Sequence, residues 1–507
     1  MLAILKSVAL DGLQGYIVQV EVDIAGGLPA FEIVGLPDAA IREARDRVRA
    51  ALKNAGFEFP VRRITVNLAP ADIRKEGPSY DLALAAGILT ATEQVPADAA
   101  ARFVYLGELS LDGAVREVCG VLPSVAAAVR QGEKAVVVAA ANAAEAALVE
   151  GATVYPVNNL QELAGFLKGE QEIPPCRADV AQFFGRQEAD LDLAEVRGQL
   201  YAKRALEVAA AGGHNALLVG SPGTGKTMLA RRLPGILPEL TFSEALEVTE
   251  IYSLAGLLSP GEPLLTHRPF RAPHHTASAA AVVGGGRYPR PGEVSLAHHG
   301  ILFLDEFPEF SKEVLEALRQ PLEDGVITVS RAAGSLCFPA RIMLVAACNP
   351  CPCGFYGDQE KECTCSPHQI QRYQSRLSGP LRDRIDLYVS VPRVEFHELA
   401  AEPQGESSAA VRQRVEAARA VQRNRFRGTK TSCNAAMSGA QVRRFCTYTR
   451  EAGRMLQAAF RQLALSARSH DRVLKVARTI ADLEGSSVID SAHVAEALQY
   501  RERGSDR

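Results

Sequence analysis

From Ser7 to Leu36 apolar and polar residues alternate, as in GYIVQVEVDIAGGLPAFEIVG, with glycine and proline as punctuation. A period of two sends successive side chains to opposite faces, so this stretch predicts strands joined by tight turns. Between Asp38 and Asn54 the period lengthens: AAIREARDRVRAALKN has apolar residues at helical spacing with Arg and Glu between them, and RRITVNLA returns to strand. After Pro78 an Ala- and Leu-rich helix follows, then a short strand around Phe103 to Leu106. Residues 1–168 are therefore read as an α+β domain. Residues 169–190 are polar with a proline pair and read as a linker. Residues 191–394 alternate helices with apolar strands, the pattern of a parallel sheet. Residues 395–507 are rich in Arg and Ala with helical periodicity and predict a helical domain. There is no internal repeat and no long low-complexity run.

A length of 507 residues fits about three domains. With 47% hydrophobic and 23% charged residues the chain can bury sizeable cores, which excludes wholesale disorder. Lys6 and Asp11 interrupt the opening MLAILKSVALDG before a signal-peptide core could form, and no apolar run of membrane-spanning length follows. A soluble, cytoplasmic protein with no membrane partner is expected. The net charge of −3 is unevenly spread, since residues 401–507 carry nineteen Lys and Arg against eleven Asp and Glu. That end of the chain could meet a polyanion or be a solvated helical surface.

Chemistry concentrates between residues 216 and 391. ALLVGSPGTGKT is an apolar strand followed by GxxxxGKT and a helix opening, the setting of a phosphate-binding loop made by Gly220, Ser221, Pro222, Gly223, Thr224, Gly225, Lys226 and Thr227. The glycines let the backbone wrap phosphates, Lys226 reaches the β and γ phosphates, and the Thr227 hydroxyl takes a Mg²⁺ position. ATP with Mg²⁺ is thus the expected ligand. ILFLDEF is a buried strand that ends on two carboxylates, Asp305 for Mg²⁺ and Glu306 to polarise an attacking water. RIMLVAACNP is a third strand, ending at Asn349, whose amide could hold the water or sense the γ phosphate.

GSPGTGKT, HHGILFLDEF, VAACNPCPCG and LSGPLRDRIDL together resemble the magnesium-chelatase-like branch of the AAA+ ATPases, in particular the ComM/YifB family. The resemblance implies a P-loop AAA+ core with a C-terminal helical lid and a ring, usually a homo-hexamer, in which a neighbouring subunit completes each site. It makes Arg384 of LRDRID the trans arginine finger, with Arg382 as the alternative, and Arg468 the lid arginine that reads the γ phosphate. ITVNLAPADIRKEGPSYDLALAAGIL and LGELSLDGAVREVCGVLPSVAAAV are similar to the Lon-type protease domain, of the ribosomal S5 domain 2-like fold. Ser79 stands at the nucleophile position, but Leu122 stands where that family has its lysine, and Lys134 lies twelve residues further on. Without a base the serine is a poor nucleophile, so the domain is expected to serve assembly or binding.

Five of the ten cysteines fall between Cys348 and Cys365. Cys351, Cys353, Cys363 and Cys365 form two CxC pairs that could give four thiolates to a structural Zn²⁺; Cys348 with Cys351 offers an alternative CxxC, and uncoordinated thiols are the other reading. Lys226 and Asp305 are 79 residues apart, which leaves room for an insert. FRAPHHTASAAAVVGGGRYPRPGE supplies Arg271, His274, His275, Arg287 and Arg290 on small residues, and GVITVSRAAGSLCFPARI predicts a hairpin turning at Arg331 to Gly334. In relatives of this branch such elements project into the ring channel and grip DNA; packing at the subunit interface is the alternative. Arg331, Arg287, Arg271 and Arg290 are the expected DNA contacts, to the backbone and not the bases, because the chain has no Trp. The leading expectation is an ATP-dependent helicase or branch-migration motor in recombination and natural transformation. A chelatase-type ATPase subunit that remodels a protein, and an ATP-dependent peptidase, are the competing ones.

Overall fold

The computed structural model describes residues 2–501 except 73, 185–190, 260, 286–289, 332–333, 395–404 and 463–465. The alternating N-terminal stretch forms strands Leu2–Asp11 and Gln14–Ala25, paired antiparallel around Gly12. They lie inside a seven-stranded sheet in the order Ala30–Val34, Arg63–Ala69, Gln14–Ala25, Leu2–Asp11, Val104–Leu106, Ala135–Ala139, Thr153–Val157. Val18, Val20, Val22 and Ile24 share one buried face. Helix Asp81–Ala91 packs on it, so closely that a Cβ at Gly87 would stand 2.6 Å from Val22. All eleven residues of this helix are buried, which accounts for its unbroken Ala and Leu text. The Arg- and Glu-studded helix Ala39–Asn54 is amphipathic instead, buries Ile41, Ala44, Val48 and Leu52, and is capped by Asp38 accepting from the Ile41 amide at 2.9 Å.

The segment after residue 168 holds to this domain: Ile173 is buried and Cys176 bridges to Val154. A second sheet of five parallel strands follows, in the order Phe270–Arg271, Ile301–Leu304, Met343–Cys348, Ala216–Val219, Leu387–Ser390. Its inner strands are apolar throughout because both faces are covered. Beyond residue 395 the described residues form helices Ser408–Arg425, Gly439–Phe445, Arg450–Gln462, Ala467–Leu483 and Ser491–Gln499. These share one hydrophobic core with helix Leu200–Gly212 and strand Ala216–Val219. In their midst Asp482, fully buried, accepts from Arg425, Arg478 and Asn434, so each charge removed from water has a partner.

The two domains meet along helix Phe242–Ala255. Leu122 and Leu148 of the N-terminal domain pack with Leu240, Val248 and Leu264. Glu145, buried in the same seam, accepts from the Leu122 amide at 2.9 Å and the Ser253 hydroxyl at 2.6 Å, and burial raises its carboxyl above the ordinary range. The Gly120 amide donates to the Ser253 carbonyl at 2.9 Å.

Candidate nucleotide site

Strand Ala216–Val219 runs into the glycine-rich loop, and helix Lys226–Arg232 starts at its lysine. Gly223 and Gly225 have φ of 79° and 88°, and a Cβ at either would meet nothing within 4 Å. The left-handed backbone thus favours glycine, and the space beside both residues is open, as a phosphate-binding loop needs. Gly220 is needed for another reason, since a Cβ there would come within 2.2 Å of the Val391 carbonyl oxygen. Lys226 Nζ donates to the carbonyls of Gly220 at 2.7 Å and Ser221 at 3.0 Å and to Asn349 Oδ1 at 3.2 Å. Burial lowers its pKa from the ordinary value, opposed by the negative charge of nearby Asp305.

The carboxylates at the end of strand Ile301–Leu304 point in different directions. Asp305 Oδ2 accepts from Thr227 Oγ1 at 2.7 Å, which brings together the two oxygens expected to hold Mg²⁺. Glu306 adopts φ 51°, unusual for a residue with a side chain, and turns its carboxylate to His275 Nδ1 at 2.9 Å. His275 belongs to the insert, so the group expected to polarise water is tied to the loop expected to meet DNA. In the sequence His275 is marked only as one member of a basic loop.

The arginines assigned by resemblance lie elsewhere. Arg384 and Arg468 line a cleft of about 840 Å³ together with Arg419, Arg472 and Lys475. Asn215, Gly300 and Asp386, each just ahead of a strand of the central sheet, also line it, whereas the glycine loop sits at the opposite, carboxyl ends of the strands. Arg384 donates to the Pro380 carbonyl at 2.6 Å and pairs with Glu323. Arg382 turns instead to the Gln374 carbonyl. Arg468 is exposed at the start of its helix, and Arg472 has a buried Nη1 without a hydrogen-bond partner among the described residues.

Sulfur atoms of Cys351, Cys353, Cys363 and Cys365 all lie within 4.8 Å of one another, and Cys348 is not among them. A second cluster, Glu247 with His298 and His299, is better read as a hydrogen-bond network. His298 Nδ1 accepts from the Arg341 amide at 3.0 Å, so its Nε2 carries the proton donated to Glu247 at 3.0 Å and has no lone pair for a metal.

Of the expected DNA contacts, Arg271 is held by Glu293 through two bonds of 2.6 and 2.8 Å, and Arg290 is exposed at a two-residue strand. Arg331 pairs with Gly334 at the tip of hairpin Val326–Arg331 and Gly334–Pro339, whose base rests on Leu13 and Gly12 of the N-terminal domain. Arg287 lies outside the described residues. In the N-terminal domain Ser79 is half-buried and Lys134 exposed, while Leu122 is 1% exposed inside the seam with the ATPase core. The nearby Lys75 bonds the Pro70 carbonyl. No base among the described residues hydrogen-bonds the Ser79 hydroxyl, so Ser79→Ala should leave ATP turnover within about twofold of wild type, and neither form should cleave an unfolded substrate; peptide cleavage lost in Ser79→Ala would overturn this.

The family described as "Magnesium chelatase, subunit ChlI" matches residues 192–399, "Subunit ChlI of Mg-chelatase" matches 20–142, and "Magnesium chelatase, subunit ChlI C-terminal" matches 405–501. The competence protein ComM of Haemophilus influenzae is 46% identical over 509 residues, covering 99% of this chain and 97% of that protein. YifB of Escherichia coli is 45% identical over 501 residues, with the same coverage of each. Lon protease 2 of Bacillus subtilis is 30% identical over 145 residues, 27% of this chain and 26% of that protein. With a phosphate loop, an acidic strand end and full-length likeness in hand, the chain belongs to the ComM/YifB family of magnesium-chelatase-like AAA+ proteins.

Proposed function

We propose that this protein is an ATP-driven DNA motor that works as a hexameric ring, unwinding or branch-migrating DNA in recombination and natural transformation. The observation that carries the ring is the placement of the two halves of an ATP site at opposite ends of one sheet: Lys226, Thr227, Asp305 and Glu306 at the carboxyl ends, Arg384 and Arg468 in the basic cleft at the amino ends. A strand such as Ile301–Leu304 spans about 13 Å, too far for either arginine to reach phosphates on its own glycine loop. Head-to-tail packing would bring one chain's cleft to the next chain's loop, with Arg384, which lines that cleft where Arg382 does not, as the finger.

Thr227 and Asp305 would hold Mg²⁺, which when bound neutralises charge on the β- and γ-phosphates. Lys226 would leave its carbonyl partners for the phosphates, and Asn349, now bonded to Lys226, would be freed to orient water. Glu306 takes up the water's proton once His275 releases it, which makes turnover sensitive to whatever moves the insert.

DNA is the proposed partner because the ComM relative is a competence protein and because the insert that holds His275 also supplies exposed Arg290. The test is ATP turnover with and without four-way DNA, which should rise with DNA; no response would favour a protein substrate, as for a chelatase-type ATPase. Phosphate contacts release counterions, so affinity should fall linearly with salt on logarithmic axes. Arg331→Ala should reduce that slope by about 1 and impair strand displacement more than basal turnover. An unchanged slope, with loss of DNA on substitution of C-terminal arginines, would move the DNA to the helical domain.

A further inference from the structure

We propose that Cys351, Cys353, Cys363 and Cys365 hold one Zn²⁺, and that the loop closed by this metal braces the glycine loop, so that nucleotide affinity depends on zinc. The inference rests on the ATP-binding reading of that loop.

The sulfur geometry fits the ion. Cys351 and Cys353 are 3.4 Å apart, Cys353 and Cys363 3.5 Å, and Cys351 and Cys363 3.7 Å. The edges of a tetrahedron with zinc–sulfur bonds of about 2.3 Å measure roughly 3.8 Å. A disulfide would need about 2.05 Å. Two amides already point at sulfur, Cys353 N to Cys365 at 3.4 Å and Tyr356 N to Cys351 at 3.3 Å, as donors to metal-bound thiolates do. Four sulfurs with no imidazole or carboxylate among them select a soft, tetrahedral ion.

The loop needs such a staple. From Gly354 to Glu362 it contains turns but no helix or strand, and none of its large apolar side chains is buried, Phe355 being half-buried and Tyr356 55% exposed. A segment with so little apolar support takes its folding energy from the metal.

Three of its contacts lead to the nucleotide site. Asp358, midway between the two cysteine pairs, accepts from Ser221 Oγ of the glycine loop at 2.6 Å. Arg393 Nε, just beyond the last strand of the sheet, donates to the same carboxylate oxygen at 2.9 Å and fixes it from the other side. The Ser221 bond, helped by the amides of Glu360 and Lys361, holds the Asp358 carboxyl well below the usual carboxylate range. The Gly354 backbone lies so near Pro222 that a Cβ would stand 2.5 Å from its ring. Asn349, which bonds Lys226, is two residues ahead of the first ligand. The cysteine loop therefore grips the glycine loop at Ser221 and Pro222 and anchors Asn349 across from it.

The full chain, purified without chelator, should contain one zinc. Binding of a fluorescent ATP analogue should weaken about tenfold, the loss of one charge-assisted hydrogen bond, when a strong chelator removes the metal, and recover when zinc is restored. Asp358→Asn should keep its zinc and its circular dichroism but show a similar loss, which separates the brace from general unfolding. Negligible zinc in fresh protein would overturn the metal site. Unchanged affinity in both the metal-free chain and Asp358→Asn would overturn the brace alone, whereas no binding by the untreated chain would remove the ATP reading and the brace with it.

Discussion

Arg384→Ala should lower ATP turnover by about 10³-fold or more while leaving nucleotide binding nearly unchanged, the size expected when a finger that stabilises transferring charge is lost. Arg384 shares a cleft with Arg468 at the end of the sheet remote from its own glycine loop, so in the proposed ring the phosphate it would meet belongs to nucleotide on a neighbouring chain. Mixing provides a sharper form of the test. A Lys226→Ala chain should not bind nucleotide but would still present Arg384, and an Arg384→Ala chain should bind but present no finger. Each should be inactive alone, and the mixture should recover turnover at those contacts where an Arg384→Ala loop faces a Lys226→Ala finger. Absence of recovery in mixed assemblies would place the arginine's role within its own subunit.

Lys226→Ala and Glu306→Gln should fail in different ways. The first removes the ammonium that faces the phosphates, so nucleotide binding should be lost. The second keeps Thr227, Asp305 and Lys226 in place and removes only the carboxylate proposed to take the water's proton. Binding should persist while turnover falls by about 10²- to 10⁴-fold. Single-turnover hydrolysis and equilibrium binding on the same samples separate the two. Wild-type turnover in Glu306→Gln would mean that another group does this work. His275→Ala, which frees the Glu306 carboxylate, should not reproduce the loss, because the proton acceptor remains.

How much of this was legible in the sequence follows from how local each feature is. A phosphate loop, an acidic strand end and a polar strand terminus are each set within a dozen consecutive residues. Lys226, Thr227, Asp305 and Asn349 could therefore be picked out by eye, and the structure brings them within hydrogen-bond reach. The hairpin turning at Arg331 and Gly334 is local in the same sense. Partners fixed by tertiary packing left no such trace. Asp358 meets Ser221 across 137 positions, and nothing in the text of either segment names the other. Arg271 reads as a free cation until Glu293 is seen to hold it. The segment after residue 168 reads as a linker from its prolines and polar residues. One buried isoleucine and one backbone bridge are enough to lay it on the first domain.

The position of Leu122 has a thermodynamic consequence. Where the Lon-type resemblance would have a charged lysine, the chain has an apolar residue sealed between two domains, flanked by a buried carboxylate that spends its acceptors on both sides of the seam. Unfolding either domain alone would expose Leu122, Leu148 and Val248 to water and strand Glu145 without its Ser253 partner. Local opening is penalised on both sides of the boundary, so the first 168 residues and the ATPase core should melt together, as one cooperative unit, although each has a hydrophobic core of its own.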